Sequence, residues 1–110
     1  MTDTGTKKQV ADRLLGIEIE LRRLRLWEHE QPPAEAFQST QPFCIDTLEF
    51  TQWVQFVFLE RMKFIIESAQ PLPKVAGIAP MAEEHFRGRS ESGQNLIQEL
   101  EAVDQLLSDN

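Results

Sequence analysis

The chain has little of the chemistry on which secreted domains, membrane proteins and many enzymes depend. It contains one cysteine and no tyrosine among 110 residues. A single cysteine cannot form an internal disulfide, so nothing indicates an oxidising compartment. The longest apolar run, Phe56 to Leu59, is far shorter than the roughly 18 to 20 residues needed to cross a bilayer. The N-terminus also lacks the apolar core of a secretory signal. We therefore expect a cytoplasmic protein with no membrane association.

Basic side chains are also scarce. The chain has 11 Lys and Arg against 18 Asp and Glu, which gives a net charge of −7. Phosphate backbones attract basic surfaces, so we expect no direct binding to nucleic acid. After Ser90 there are five carboxylates and no Lys or Arg. This acidic stretch fits either a solvated face or a surface for a basic partner.

Apolar residues recur at helical spacing over most of the chain, which predicts an all-α, single-domain helical bundle. Residues 1–5 are expected to be a disordered N-terminus, and residues 6–110 are expected to form the domain. The predicted elements are three long helices at about 6–28, 46–68 and 92–108, with one or two short helical segments at about 34–38 and 80–87.

The first predicted helix carries two apolar stripes. A surface helix needs only one, so the second stripe must be covered by the following loop or by another chain. The first stripe contains Val10, Leu14, Ile17, Leu21 and Leu24, and the second contains Leu15, Ile19 and Leu26.

The second long helix is apolar on nearly every side, and we expect the bundle to be wrapped around it. Asp46 is predicted to be its N-cap, with Glu49 completing a capping box three residues later. The helix should end before Pro71, because proline disfavours helix in the residue before it.

Two aromatic positions on this helix indicate a partner surface. Phe56 falls in the middle of its narrow polar arc, with Trp53 at the edge. Aromatic residues are enriched at the centres of interfaces, so Phe56 could anchor a partner or a second copy of the chain. The alternative is that the proline-rich loop folds over it.

Two polar positions lie among apolar ones. Arg61 falls inside the broad apolar arc, which predicts a buried or snorkelling ion pair with Glu18 or Glu20, or else a ligand-binding arginine. Gln55 shares a face with Leu48, Leu59 and Met62. A buried amide must find partners, so we expect a satisfied core group or a residue that faces a pocket.

Other reactive side chains are few. His29 and His85 lack zinc-type spacing, so no metal site and no cofactor are predicted. Cys44 lies beside apolar neighbours and no base is positioned near it, which favours an inert thiol. No catalytic motif is present, and no enzymatic activity is predicted.

The residues of the second long helix resemble the signature of the bacterial YqcC-like family. The resemblance extends over roughly residues 7 to 108 and implies a small helical bundle from a proteobacterial cytoplasm. The family is a domain of unknown function, and in some bacteria its gene neighbours a tRNA pseudouridine synthase gene. The matching residues are Leu24-Arg25-Leu26-Trp27, Pro42-Phe43, Asp46-Thr47, Phe50, Gln52 to Phe58, Arg61-Met62 and Leu72-Pro73.

Three functions remain open from the sequence. The first is a non-catalytic interaction or adaptor protein, whose partner or second copy binds at Trp27, Gln52, Trp53 and Phe56. The second is a small-molecule or metal site between helices, built from Gln55, Arg61, His29 and nearby carboxylates. The third is an accessory role in tRNA pseudouridine modification, exercised through a protein partner because the chain is acidic.

Overall fold

A computed structural model describes residues 2–74, 77–89 and 92–108 of the chain. These residues form helices and connecting turns, and none of them lies in a β-strand. The predicted all-α fold class is confirmed. The elements are α1 (Thr2–Arg23), two short 3-10 helices (Ala34–Gln38 and Pro42–Cys44), α2 (Phe50–Trp53), a π-helical segment (Val54–Phe58), α3 (Leu59–Glu67), α4 (Ile78–Phe86) and α5 (Gln94–Ser108).

The most extensive packing in the bundle involves α5. Both α1 and α4 pack on it, whereas the contact between α1 and α3 is smaller. The expectation that the second long helix is the centre of the bundle is therefore wrong. At Gly16 of α1, the carboxyl group of Glu99 of α5 occupies the space that a Cβ would take. The buried residues at this contact are Val10, Leu14, Ile17 and Leu21 of α1 with Leu96, Leu100, Val103 and Leu107 of α5.

The first helix begins and ends earlier than its sequence pattern predicts, at Thr2 and Arg23. Its end is a Schellman motif, in which the N–H of Arg25 donates to the carbonyl of Arg22 and the N–H of Leu26 to that of Leu21. Arg25 has a φ of 61°. This left-handed position usually holds glycine, so no residue there marks the end of the helix.

α2, the π-helical segment and α3 are continuous, and we call residues 50–67 the bulged helix. It begins later than predicted, because its N-cap is Glu49 and Asp46 does not cap it. Glu49 and Gln52 form the capping box, and the Glu49 N–H donates to Gln52 Oε1 at 2.9 Å. Asp46 instead accepts a hydrogen bond from the Ser39 hydroxyl.

The π-helical segment changes which residues of the bulged helix face the core. Its i→i+5 bonding, seen in the Leu59 N–H donating to the Val54 carbonyl, inserts one extra residue into a turn. On a regular helix Arg61 would lie about 20° from Phe50, but the insertion rotates later residues back by about 100°. Arg61 is therefore exposed, and the predicted burial of its guanidinium is wrong. Met62 takes the inward position and is 1% exposed.

The proline-rich segment of residues 70–80 and the helix that follows agree with the sequence pattern where the structure describes them. Leu72 is buried, and Ile78 opens α4, two residues before the predicted start. The side chain of Asp104 on α5 accepts the N–H groups of Ile78 at 3.2 Å and Ala79 at 2.9 Å. This carboxylate thus caps α4 from a neighbouring helix. Val75, which the apolar spacing of the loop predicts to lie on the core with Leu72 and Ile78, is outside the described residues. So is Ser90, which with Ser92 is a predicted N-cap of the last helix.

The second stripe of α1 has two different environments. Leu26 is half-buried and packs against the core, whereas Leu15 is 60% exposed and Ile19 is 53% exposed. The following loop therefore does not cover those two residues. None of the described helices combines the length and the apolar character that a membrane span requires.

Candidate functional site

A groove separates the two 3-10 helices from the bulged helix. It has a volume of about 410 Å³, and we call it the Phe56 groove. Three residues that the sequence singled out, Trp53, Phe56 and Arg61, come together in it. Its lining residues are Phe37, Ser39, Gln41, Phe43, Cys44, Trp53, Phe56, Val57 and Arg61.

Stacked rings hold one wall of the Phe56 groove in place. Phe43 meets Trp53 edge to face, with 4.8 Å between ring centroids. Trp53 is also stacked against Phe58 at 5.7 Å and against Phe50 at 6.3 Å. Aromatic pairs at such separations contribute about 0.5–1.5 kcal/mol each beyond their buried area. The half-buried Trp53 ring is therefore a fixed surface rather than a mobile side chain.

The wall of the groove that the two 3-10 helices form contains strained backbone. Phe43 has a φ of 59° and Cys44 a φ of 49°. For residues with a side chain, this left-handed conformation costs roughly 1–2 kcal/mol per residue. Hydrogen bonds hold the strained turn, because the Thr47 hydroxyl donates to the Ala36 carbonyl at 2.7 Å. Strain of this kind concentrates at binding sites, where it positions side chains in advance.

The opposite wall is the π-helical segment itself. Phe56 and Val57 lie within it, and both are half-buried. The two 3-10 helices lie on the other side of the groove, which stays open next to the Phe56 ring. Single π turns inside α-helices occur frequently at functional sites. Both walls of this groove thus hold irregular backbone that a regular bundle would not contain.

Arg61 contributes the charge of the Phe56 groove. No Asp or Glu is among the described residues that line it. The expected partners are engaged elsewhere, since Glu18 pairs with Arg22 and Lys63, and Glu20 pairs with Arg23. No described carboxylate forms an ion pair with Arg61. Arg61 is therefore the charged side chain among the described lining residues, and the exposed Asp46 carboxylate lies next to them, hydrogen-bonded to Ser39.

Gln55 and Gln52 hold the chain that follows α1. Gln55 is buried, and its Nε2 donates to the Glu28 carbonyl at 2.8 Å while its Oε1 accepts the Glu28 N–H at 2.9 Å. Gln52 Nε2 donates to Glu28 Oε1 at 3.2 Å. Gln55 is thus a satisfied core group, and neither glutamine lines the Phe56 groove.

The remaining predicted site residues lie apart from this groove. Trp27 is half-buried, with the Arg22 guanidinium 4.6 Å from its ring centroid. His29 is exposed, and His85 packs between the rings of Phe50 and Phe86. Within the described ranges, no group of three His, Cys, Asp or Glu side chains is placed to hold a metal ion.

A second groove, which the sequence did not indicate, lies next to the first. It has a volume of about 190 Å³ and carries two carboxylates, and we call it the Glu49 groove. Helical spacing places Glu84 and His85 on one face with Met81, but nothing in the sequence brings Glu49 and Phe43 to that face. Its lining residues are Phe43, Ile45, Leu48, Glu49, Phe50, Met81, Glu84 and His85.

Comparison with protein families agrees with the resemblance seen in the sequence. Residues 9–106 match the profile of the family DUF446, which is described as tRNA pseudouridine synthase C. An uncharacterised protein of Haemophilus influenzae is 36% identical over 104 residues, covering 94% of this chain and 97% of that protein. The uncharacterised protein YqcC of Escherichia coli is 33% identical over 105 residues, covering 96% of each chain.

A solved structure and a longer relative complete the comparison. The solution NMR structure of E. coli YqcC superposes with a TM-score of 0.81 at 34% identity, covering 99% of this chain and 91% of that one. The predicted YqcC-like resemblance is therefore confirmed. A protein of Pectobacterium carotovorum named tRNA pseudouridine synthase C is 36% identical over 83 residues. That match covers 76% of this chain but 22% of the longer protein.

Proposed function

The chain belongs to the DUF446 family, and from that membership and the groove geometry we propose that it is a non-catalytic accessory protein. In this proposal it binds a tRNA pseudouridine synthase through the Phe56 groove. The observation that carries the binding role is an open aromatic groove whose two walls both hold irregular backbone. Strained backbone persists where the surrounding structure holds it in place, and such positions cluster at binding sites.

The longer relative supports the choice of partner. In the Pectobacterium protein named tRNA pseudouridine synthase C, the matched 83 residues make up 22% of the chain, so most of that protein lies outside the match. A domain that occurs alone in one bacterium and joined to a longer chain in another commonly serves the same partner in both. Covalent linkage replaces a binding step by raising the effective concentration of the partner.

The residues of the groove suit binding better than catalysis. Its described lining combines four aromatic side chains, one valine and one guanidinium with three smaller polar groups, those of Ser39, Gln41 and Cys44. Interfaces are enriched in aromatic residues and arginine at their centres. A protein partner also fits the net charge of −7, because a chain this acidic would repel tRNA and can act on it only through another protein.

The proposal is tested by titrating the purified protein with the purified tRNA pseudouridine synthase of the same bacterium. Phe56→Glu places a charge in the groove and should weaken binding by more than about tenfold. Phe64→Glu is the matched control, because Phe64 lies on the same helix and is 61% exposed on its outer side. That variant should bind as the wild type does, and nuclease treatment should change neither result.

Two outcomes would contradict the proposal. The first is that the wild-type protein shows no binding to the synthase. The second is that Phe56→Glu and Phe64→Glu weaken binding equally, which would exclude the groove as the contact. In cells, deletion of the gene should lower pseudouridine at the synthase's tRNA position, and unchanged levels would argue against an accessory role.

A further inference from the structure

The two grooves are parts of one surface, because the Phe43 ring lines both of them. Phe43 is one of the two residues with strained backbone, and its ring contacts Trp53 in one groove and Phe50 in the other. Ile45, which is 60% exposed, extends the apolar surface beyond Phe43. A partner segment that crosses Phe43 would therefore contact both grooves.

The charges on this surface are separated by sign. The Phe56 groove contains Arg61 and no described carboxylate. The Glu49 groove contains Glu49 and Glu84 and no described Lys or Arg. A binding surface with opposite charges at its two ends fixes the direction in which a partner lies on it.

The two carboxylates are now paired with arginines of this same chain. Glu84 Oε2 lies 3.1 Å from Arg87 Nη1, and Glu49 Oε1 lies 3.5 Å from Arg89 Nη2. The side chains of Glu84 and Arg87 are 61% and 74% exposed. Exposed pairs of this kind contribute about 0.2–1 kcal/mol. A cation from a partner can therefore replace either arginine at small cost.

We propose that one segment of the partner protein binds across both grooves. Its apolar and acidic residues occupy the Phe56 groove, and the Glu49 groove binds a lysine or arginine side chain of the same segment. The segment then has an apolar anchor against Trp53 and Phe56, a carboxylate at Arg61 and a basic side chain at Glu84. This inference rests on the proposed function and specifies the chemistry of the partner segment.

The Glu49 groove fits a long basic side chain in two ways. Leu48 and Met81 provide an apolar wall for the methylene stem, which such side chains bury while the charge stays at the rim. The half-buried Phe43 ring adds aromatic surface, and the attraction of a cation to an aromatic face is worth about 0.5–1 kcal/mol at exposed sites.

The separation of charges selects a polypeptide over a nucleic acid. A phosphate backbone carries the same negative charge along its whole length. It would gain from Arg61 but would be repelled by Glu49 and Glu84 at the other end of the surface. A polypeptide can carry opposite charges a few residues apart.

The decisive experiment uses the full-length synthase as the probe and exchanges the two charges. Arg61→Glu and Glu84→Lys change exposed side chains, and neither residue has a role in the core. Each single variant should weaken binding about tenfold. The double variant Arg61→Glu/Glu84→Lys keeps the net charge at −7 and should bind at least as weakly as either single variant.

A charge-conserving pair elsewhere provides the control. Lys74 and Glu101 are both exposed and line neither groove. The variant Lys74→Glu/Glu101→Lys should bind the synthase within about twofold of the wild type. Raising the ionic strength should reduce the losses caused by the single variants, because salt screens exposed charges.

Three results would overturn the inference. If the synthase binds the wild type and the charge-exchanged double variant equally, the proposed function stands and the directional charge pattern is wrong. If purified tRNA, used as a second probe, binds the wild type and loses that binding with Arg61→Glu but not with Lys74→Glu/Glu101→Lys, the surface is a nucleic-acid site. If the synthase does not bind the wild type at all, the proposed function fails and the inference fails with it.

Discussion

Replacing Gln55 by leucine is expected to destabilise the protein far more than removing one surface contact would. Gln55 is 5% exposed, and its amide group makes both of its hydrogen bonds to the backbone of Glu28. Leucine has a similar volume but offers neither a donor nor an acceptor. The Glu28 N–H and C=O groups would then be left unpaired beside an apolar side chain.

The size of this destabilisation follows from the two backbone groups of Glu28 that lose their hydrogen-bond partner. A part-buried backbone group that loses its hydrogen bond costs about 1–3 kcal/mol. The better fit of leucine to an apolar environment offsets some of this, since a fully buried leucine side chain contributes about 1.5–3 kcal/mol relative to an exposed one. We expect a net loss of about 2–3 kcal/mol in the free energy of unfolding.

Thermal and urea unfolding measure this loss. For a domain of this size, 1 kcal/mol corresponds to roughly 4 °C in Tm, so Gln55→Leu should lower Tm by about 8–12 °C. Gln98→Leu is the control, because Gln98 is exposed on α5 and its replacement should change stability by less than about 0.5 kcal/mol. A Tm for Gln55→Leu within 2 °C of the wild type would refute the assignment of Gln55 as the clamp on Glu28, on the scale of about 4 °C per kcal/mol.

Three further substitutions test the fold at other points. Asp104→Ala removes the carboxylate that accepts the Ile78 and Ala79 N–H groups. It should lower the free energy of unfolding, measured with urea, by about 1 kcal/mol. An unchanged free energy would show that α4 does not depend on this cap. Gly93→Ala would place a Cβ against the Phe86 ring and should lower stability by about 1–3 kcal/mol, a loss that thermal unfolding would detect. Arg61→Ala should leave stability within about 0.5 kcal/mol, whereas a loss of about 3–5 kcal/mol would indicate the buried ion pair that the π-helical segment prevents.

The stripes of α1 and α5 show which parts of the fold the sequence can predict. Val10, Leu14 and Ile17 lie three or four residues apart and are all buried, as are Leu96 and Leu100. This spacing indicates a regular helix with one apolar face. A periodic pattern can predict such a helix because its geometry is regular. The 3-10 helix at Ala34–Gln38 also matches its predicted range.

The end of α1 was harder to predict than that of α3, which lies within one residue of its predicted position. Neither end has glycine in its left-handed position. Arg25 and Ala69, both with positive φ, follow α1 and α3. In each case two backbone hydrogen bonds close the end of the helix, and these bonds leave no mark on the sequence. Local backbone hydrogen bonds therefore close these helix ends at residues other than glycine.

The bulged helix carried a signal that a regular helical wheel hides. Its apolar residues Phe50, Val54, Phe58, Met62 and Ile66 recur every four residues without a step of three. Over that distance a regular α-helix would rotate the stripe by about 160°, and one inserted residue reduces the rotation to about 60°. A strict repeat of four therefore predicts a π turn, and with it the exposure of Arg61.

The candidate site was partly visible in the sequence. Phe56 and Arg61 stood out because each broke the pattern of its helix, and Trp53 stood out as an aromatic residue at the edge of the polar arc. The structure brings all three into one groove. Phe43 and the Glu49 groove could not be found in that way. They depend on the strained turn at Phe43 and Cys44 and on the packing of α4, and neither is encoded in local periodicity.

The most direct test of the account is an NMR titration of the ¹⁵N-labelled protein with unlabelled tRNA pseudouridine synthase from the same bacterium. Binding at the proposed surface should broaden or shift the backbone amides of Phe43, Trp53, Phe56 and Arg61 first. The amides of Leu15 and Ile19 on the outer side of α1 should keep their positions. Changes confined to Leu15, Ile19 and Phe64, with the groove residues unaffected, would contradict the claim that the Phe56 groove binds the synthase.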